Sequence, residues 1–303
     1  MPATTALPSQ PARSQLFTNS LLSPHGRLLD LRQPQVMGIL NVTPDSFYPG
    51  SRLGSSSEAE LLSRAETMLA AGAAALDVGG YSSRPGADDI APAEELRRLL
   101  PAIEALRREF PEAFISVDTF RAAVATEAVA TGADMVNDIG GGTLDAHMFS
   151  TVAHLRVPYC LMHMRGTPQT MRTLTDYPDD LVLTLLRFFR DQLDALRQAN
   201  GGQPYPGVLL DPGFGFAKNA LQNFELLRRL PELHHLGHGL LVGVSRKAMV
   251  HKFLGLTPDA ALNGTTALHV WALRGGARLL RVHDVAEARQ AVRLWEMVEG
   301  VAN

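Results

Sequence analysis

Short apolar runs alternate with longer stretches of helical periodicity along most of this chain. The stretches between the runs carry apolar residues three and four positions apart, which is typical of amphipathic helices. Strands that alternate with helices predict an α/β fold built from repeated βα units on a parallel sheet. Eight units favour a closed (β/α)8 TIM barrel over an open sheet, for which six strands are usual. The predicted strands are Val36–Val42, Ala74–Val78, Phe114–Asp118, Met135–Asp138, Pro158–His163, Gly207–Asp211, Leu240–Val244 and Leu279–Val282.

The composition indicates one large globular domain that follows an N-terminal extension. The chain has 303 residues, of which 46% are hydrophobic and 19% are charged, so it can bury a sizeable core. Residues 1–33 are rich in Ser, Thr and Pro, and we expect a flexible tail and a short lead-in near Arg27–Asp30. The barrel is therefore predicted to span residues 34–303.

Charge and cysteine content narrow the choice of partners. The net charge is -3 and there is no dense block of Lys and Arg, which argues against nucleic acid or an anionic membrane as the partner. The apolar runs are far shorter than the ~20 residues that span a bilayer. Cys160 is the one cysteine, so we expect a buried thiol and no intrachain disulfide. A cytoplasmic protein that acts on small molecules is the resulting prediction.

Each predicted strand ends in polar residues. Active sites of TIM barrels lie at the carboxyl ends of the strands, so these residues are expected to converge at one mouth of the barrel. Asp138 and Asp284 are the exceptions, because an Asp that precedes a helix commonly caps it. The polar residues at or just after the strand ends include Asn41, Asp77, Asp118, Asn137, His163, Asp211, Lys218, Ser245, Arg281 and His283.

Two chemical groups can be distinguished among these residues. Asp118, Asn137 and Asp211 combine two carboxylates with an amide, which suits a planar heterocycle that presents several N–H donors and a carbonyl. Met162 offers an apolar face against which such a ring can pack. This part of the mouth is thus predicted to bind a flat heterocyclic substrate.

The first and last strands become neighbours when the barrel closes, and their ends carry Asn41, Arg281 and His283. These three residues suit a di-anion that is bound together with a metal, and barrels of this class often hold phosphate beside their last strands. Residues 245–247, Ser-Arg-Lys, could meet a second, anionic substrate, although the residues leave open whether Lys247 serves that substrate or the heterocycle.

Almost the whole chain, from about Gln35 to Glu296, resembles the dihydropteroate synthases. The resemblance rests on an ordered set of motifs: GILNVTPDSF, SRPGA, ISVDTF, NDI, CLMHMRGTPQTM, LLDPGFGFAKN, LLVGVSRK and RVHDV. It implies a (β/α)8 barrel, usually homodimeric, that acts in folate biosynthesis. Such an enzyme condenses 4-aminobenzoate with 6-hydroxymethyl-7,8-dihydropterin diphosphate to give 7,8-dihydropteroate and pyrophosphate, with the help of Mg²⁺.

The resemblance also implies roles for individual residues of this chain. The residues implied to bind the pterin ring are Asp118, Asn137, Met162, Asp211 and Lys247. Those implied to bind the diphosphate are Asn41, Arg84, Arg281 and His283, with Asn41 as the ligand of the metal. The implied catalytic set is Asn41, Arg84, Lys247, Arg281 and His283. These groups favour a dissociative reaction, in which pyrophosphate leaves before the weak aniline nucleophile attacks.

The resemblance implies that residues of two loops form most of the aminobenzoate site. Its residues would be Phe47, Ser83, Arg84, Pro85, Phe216, Lys247 and the neighbourhood of Ser245. The loops that follow the first two strands are rich in Gly and Pro and lack apolar periodicity, so we expect them to be mobile and to close over the bound diphosphate.

The same loops depart from the usual pattern of the family. Family members commonly have an acidic residue where this chain has Pro49, and a glutamate where it has Tyr81. A non-catalytic, pterin-binding paralogue would show damage in such loops. Another alternative is a corrinoid-dependent methyltransferase that binds methyltetrahydrofolate on a similar barrel, but it has no need of a diphosphate site. The pterin and diphosphate residues are intact, and they favour the synthase.

Overall fold

The computed structural model describes residues 20–43, 55–82 and 89–301, and side chains of its first helix from residue 58 onward. The strands are β1 (Ser20–Leu22), β2 (Leu28–Asp30), β3 (Gln35–Asn41), β4 (Ala75–Gly79), β5 (Phe114–Asp118), β6 (Met135–Asp138), β7 (Tyr159–Met162), β8 (Val208–Asp211), β9 (Gly239–Val242) and β10 (Ala277–Val282). The helices are α1 (Ser55–Ala70), α2 (Pro92–Glu109), α3 (Ala122–Thr131), α4 (Met148–Leu155), α5 (Leu181–Ala199), α6 (Ala220–Arg228), α7 (Ala248–His251), α8 (Leu262–Arg274) and α9 (Val285–Glu299).

Strands β3 to β10 form a closed barrel in which all neighbours are parallel. Closure occurs between the first and last of them, where Val36 pairs with Leu280. Helices connect the successive strands, as in other TIM barrels. The predicted fold is confirmed, and each observed strand bound lies within two residues of the predicted one.

The inside of the barrel is apolar at depth and polar at the mouth. A buried cluster contains one inward residue from each barrel strand: Met37, Ala75, Phe114, Met135, Cys160, Leu209, Leu241 and Leu279. Side chains alternate between the two faces of a strand, so residues two or four positions further along also point inward. Those later residues include Asn41, Asp77, Asp118, Asn137, Met162, Asp211, Arg281 and His283. Strand alternation thereby places these eight residues at the carboxyl-end mouth.

An antiparallel hairpin of β1 and β2 closes the opposite end of the barrel. Leu21, Leu29 and Leu31 are 0%, 3% and 0% exposed and belong to the same buried cluster as the deep barrel residues. Only a flexible tail and a lead-in were predicted for this part of the chain. Residues 20–31 instead contribute leucines to the core, because the floor of the barrel would otherwise expose its apolar side chains to water.

The outer helices bury one apolar face each against the barrel. In α5 the buried residues Leu181, Leu185, Phe189 and Leu196 recur at helical spacing, and Asp180 caps the helix by accepting a hydrogen bond from the Leu183 N–H at 2.8 Å. Within the described ranges, none of the helices is both long and apolar enough to span a bilayer.

Candidate active site at the barrel mouth

An arginine between two carboxylates occupies the centre of the mouth. The Nε of Arg281, on β10, donates to Asp77 Oδ2 at 2.5 Å, and its Nη2 donates to Asp118 Oδ2 at 2.7 Å. The Nδ2 of Asn137 donates to the same Asp77 oxygen at 2.9 Å. Four strands thus bring together a guanidinium, two carboxylates and an amide. Three of these residues were predicted for the site, and Asp77 was noted only as a strand end.

Burial controls the ionisation of this group. Burial raises the pKa of Asp118 to about 7, although the guanidinium of Arg281 acts in the opposite direction. Burial also disfavours the cationic form of Arg281, but the charges of Asp77 and Asp118 outweigh it and raise the pKa of the guanidinium. The arginine therefore stays charged, and Asp118 is the carboxyl group whose charge responds to pH near neutrality.

Asp211 and Lys247 lie on the other side of the mouth. Asp211 is 5% exposed and accepts a hydrogen bond from the Gly213 N–H at 2.7 Å. Burial raises the pKa of this carboxyl group, and Lys247 partly offsets the effect. Lys247 Nζ donates to the Phe214 carbonyl at 2.5 Å and lies 5.0 Å from the centre of the Phe216 ring. Lys247 therefore lies beside Phe216, and its implied contact with the pterin stays a prediction.

Lys218 is a buried residue whose role the sequence did not indicate. Its ammonium lies 3.0 Å from each of three acceptors: His163 Nδ1, the Gly213 carbonyl and the Phe216 carbonyl. A Cβ on Gly213, where φ is +70°, would lie 2.0 Å from the His163 carbonyl oxygen, so only glycine lets the two loops approach so closely. Burial lowers the pKa of Lys218 to about 7. This lysine holds together the loops that follow β7 and β8.

Arg246, which was suggested to meet an anionic substrate, is paired with Asp284 in this structure. Its Nε and Nη2 donate to the two oxygens of Asp284, at 2.9 and 2.6 Å, and its backbone N–H donates to Thr265 Oγ1 at 3.1 Å. Asp284 was expected to cap α9, but its carboxylate is used by this ion pair and makes no capping bond. This ion pair thus ties the last two loops together, while Ser245 Oγ accepts from the His283 N–H at 3.1 Å.

Asp138 was also expected to be a helix cap, and its carboxylate has other partners. It accepts from the backbone N–H groups of Gly140 and Gly142 at 2.7 and 2.8 Å and from the Tyr159 hydroxyl at 2.5 Å. These bonds shape the turn after β6, while α4 begins further along at Met148. Asp138 is therefore a structural residue, although not through helix capping.

An apolar platform lies beside the polar residues. Met162 is 2% exposed and belongs to a buried cluster with Ile139, Met164, Met171 and Ala217, against which the Phe216 ring packs. Thioether and aromatic groups make favourable contacts with the faces of flat rings. The platform can therefore hold a planar heterocycle while carboxylates and amides bind its edge.

Asn41 and Asp118 flank a methyl-sized gap above Gly79. A Cβ on Gly79 would lie 3.6 Å from Asn41 Oδ1 and 3.7 Å from Asp118 Oδ2, so the glycine leaves room between the two oxygens. In the described part of the chain there is no cluster of three or more His, Cys, Asp or Glu residues that could hold a metal by itself. The donor set suits Mg²⁺, which needs few protein ligands when phosphate oxygens and water complete its shell.

Several predicted residues lie outside the described part of the chain. They are Phe47, Ser83, Arg84 and Pro85. Pro49, which departs from the family pattern, also lies outside it, as do the loop segments that were predicted to close. Tyr81, the other departure, is described: its side chain is 8% exposed, its hydroxyl accepts from Gln169 Nε2 at 2.7 Å, and its ring meets Phe120 edge-on at 5.0 Å. These contacts anchor Tyr81 as a packing residue.

Known proteins resemble this chain in both sequence and fold. The profile of the pterin binding enzyme family matches residues 37–283. A dihydropteroate synthase of Synechocystis is 46% identical over 264 residues, which cover 87% of this chain and 89% of that protein. Two structures of the Xanthomonas albilineans dihydropteroate synthase, with 4-aminobenzoic acid and with 7,8-dihydropteroate, are 40% and 38% identical, with TM-scores of 0.84 and 0.81. They cover 94% and 93% of this chain, and the alignments include 99% and 100% of those chains. This chain therefore belongs to the pterin binding enzyme family and, within it, to the dihydropteroate synthases.

Proposed function

We propose that this chain condenses 4-aminobenzoate with 6-hydroxymethyl-7,8-dihydropterin diphosphate, giving 7,8-dihydropteroate and pyrophosphate. The observation that carries the proposal is the convergence of Asp118, Asn137, Asp211, Lys247 and Arg281 on one barrel mouth. The relatives named dihydropteroate synthase, one of them crystallised with the product and with 4-aminobenzoic acid, support it.

The proposed roles follow from charge and position. Asp118 and Asp211 would accept hydrogen bonds from the N–H groups of the pterin, and Met162 would support the face of its ring. Their negative charges, in a buried setting, would stabilise a pterin that becomes cationic as pyrophosphate departs. Arg281 and His283 would bind the leaving pyrophosphate. The aniline nitrogen would then attack the methylene carbon that pyrophosphate has left and release a proton to solvent, so no covalent bond to the protein is required.

The expected cofactor is Mg²⁺, which neutralises phosphate charge when it is bound. Asn41 would hold it, and the lack of a side chain at Gly79 leaves space for it beside the diphosphate. Because a single amide oxygen is a weak site for a divalent cation, we expect the metal to bind together with the diphosphate and not alone.

Lys247 and Phe216 are proposed to form the inner wall of the aminobenzoate site. The ammonium lies over the face of the Phe216 ring, 5.0 Å from the ring centre. Burial lowers the pKa of Lys247 to about 8, with Asp211 acting in the opposite direction. A lysine that is still mostly charged at neutral pH can attract the carboxylate of 4-aminobenzoate or a carbonyl of the pterin.

We also propose that the protein is a homodimer. Neighbouring helices α8 and α9 expose Trp271, Leu294, Met297 and Val298 at 54%, 68%, 70% and 83%. An exposed apolar surface of this kind is typical of a protein interface. Sedimentation should give a dimer, and Leu294→Glu with Val298→Glu should shift it to a monomer. The cytoplasm stays the expected location, which cell fractionation would test.

One assay tests the proposed reaction. Pyrophosphate release is measured with each substrate alone and with both, in the presence and absence of Mg²⁺. We expect sustained release only with both substrates and the metal. Release that needs neither 4-aminobenzoate nor metal would contradict the proposal. Pterin binding without turnover would favour a non-catalytic paralogue, and methyl transfer from methyltetrahydrofolate would favour a methyltransferase.

A further inference from the structure

Arg281 is held by two carboxylates at different depths in the barrel. Asp118 pairs with Gly79, which is two residues beyond Asp77 on β4, so Asp77 lies one inward layer deeper. The Asp77 side chain is 0% exposed, whereas those of Asp118 and Arg281 are 16% and 20% exposed. The guanidinium is therefore bonded to one carboxylate deep in the site and to another at the barrel mouth.

The contacts of Asp77 are directed at site residues. Its Oδ2 accepts from Arg281 Nε at 2.5 Å and from Asn137 Nδ2 at 2.9 Å. Its Oδ1 is buried and has no hydrogen-bond partner among the described residues. A buried carboxylate is costly unless it is paired, and here the arginine supplies the pairing charge. Asp77 thus depends on Arg281 and restrains it.

The proposed function places competing demands on Arg281. It assigns this arginine to the diphosphate and Asp118 to the pterin, whereas in this structure the two side chains bond to each other. A bound diphosphate carries more negative charge than one carboxylate and would draw the Nη2 group away from Asp118. Asp118 would then be free to accept hydrogen bonds from the pterin.

We propose that Asp77 is a positioning residue for this exchange. It holds the Nε of Arg281 deep in the site. The Nη2 group can then exchange Asp118 for the diphosphate while the arginine stays in the mouth of the barrel. The inference rests on the proposed function and extends it to a residue outside the predicted substrate sites. Its chemistry requires only the charge of Asp77 and the hydrogen-bond geometry of the guanidinium.

Loss of that charge should alter the balance between the two carboxylates. With a neutral group at position 77, Asp118 becomes the stronger anionic partner of Arg281, and the fork of the guanidinium can engage both of its oxygens. That pairing withholds the arginine from the diphosphate. The effect should disappear when the competing charge of Asp118 is removed as well.

The test is a double-mutant cycle on the binding of inorganic pyrophosphate, at constant Mg²⁺, by calorimetry. Asp77→Asn keeps an oxygen that can accept hydrogen bonds from both donors. Its NH₂ group takes the place of Oδ1, which has no hydrogen-bond partner among the described residues, so the fold should be retained. We expect it to weaken pyrophosphate binding by about tenfold, in the range of couplings within one ion-pair network. Asp118→Asn alone should leave binding unchanged or tighter, and added to Asp77→Asn it should restore the affinity.

Ser116→Ala is the matched control. Ser116 is the strand partner of Asp77, is 0% exposed, and has a hydroxyl with no hydrogen-bond partner in the described ranges. This variant should bind pyrophosphate as the unaltered chain does. If Asp77→Asn has no effect, or if the double variant binds as weakly as Asp77→Asn alone, the positioning role is wrong. Turnover by the unaltered chain tests the proposed function separately, so the two can fail independently.

Discussion

When the buried Lys218 is replaced by methionine, the difference in unfolding free energy between the unaltered chain and the variant should depend on pH. The Lys218 side chain bonds three acceptors, and the Gly213 carbonyl also accepts from the Phe216 N–H at 3.0 Å, so Lys218→Met leaves two acceptors without a donor. Methionine retains most of the volume of the lysine stem, so packing should change little. The variant lacks these hydrogen bonds at every pH. The cost of burying the ammonium, in contrast, affects the lysine protein and depends on pH.

The direction follows from the lowered pKa of Lys218, about 7 in the folded chain against 10.5 as the ordinary value. Between these values the unfolded chain binds a proton that the folded chain does not, so the stability of the lysine protein rises with pH. The burial cost is complete below about pH 7 and fades toward pH 10.5. From pH 7 to pH 9 the lysine protein should gain about 2 kcal/mol relative to Lys218→Met.

Urea unfolding of both proteins at pH 7, 8 and 9 measures this difference directly. Lys252 supplies the control, because its side chain is exposed and carries no burial cost. The difference between the unaltered chain and Lys252→Met should stay constant over this range. A constant difference for Lys218→Met as well would refute the argument from burial.

Four further outcomes are expected. Asp118→Ala or Asp211→Ala should abolish measurable pterin binding by calorimetry, while circular dichroism shows an intact fold. Each variant leaves bound N–H donors unpaired, which costs about 1–3 kcal/mol each, or more where charge is involved. Unchanged affinity in both would contradict the pterin assignment. Sulfonamides should compete with 4-aminobenzoate and bind far better once pyrophosphate and pterin are present, whereas equal affinity without them would indicate a preformed site. Titration with Mg²⁺ should give saturable heat only when pyrophosphate is present, and tight binding of the metal alone would show a ligand set richer than the one proposed. In steady-state kinetics, Pro49→Asp and Tyr81→Glu should each change kcat/KM by less than about tenfold and Arg84→Ala should lower it by about a hundredfold; an inactive native chain rescued by the two loop changes together would favour a non-catalytic paralogue.

The position of the candidate site could be predicted because both of its determinants are local. Apolar runs of strand length and helical periodicity depend on residues close in sequence, and they predicted the eight barrel strands. Parallel strands bring their carboxyl ends to one mouth, so the residues after each run could be assigned to one site. Asp118, Asn137 and Arg281 lie together there, as expected.

The partners of the charged side chains could not be predicted in this way. Arg246 was assigned to a substrate and is bonded to Asp284, and the hairpin that closes the barrel floor was not foreseen. Asp77 was noted at a strand end, but no sequence pattern indicated that it restrains an arginine 204 residues away.

Periodicity and motifs of neighbouring residues are enough to specify the repeated βα units, the barrel and the identity of the groups at its mouth. Which of those groups neutralise one another is known from the folded chain alone. Pairing depends on strand register, on the depth of each side chain and on loops that come from distant parts of the chain. In a buried site each charge must find a partner, and several candidates of suitable chemistry exist, so the geometry of the closed barrel selects among them.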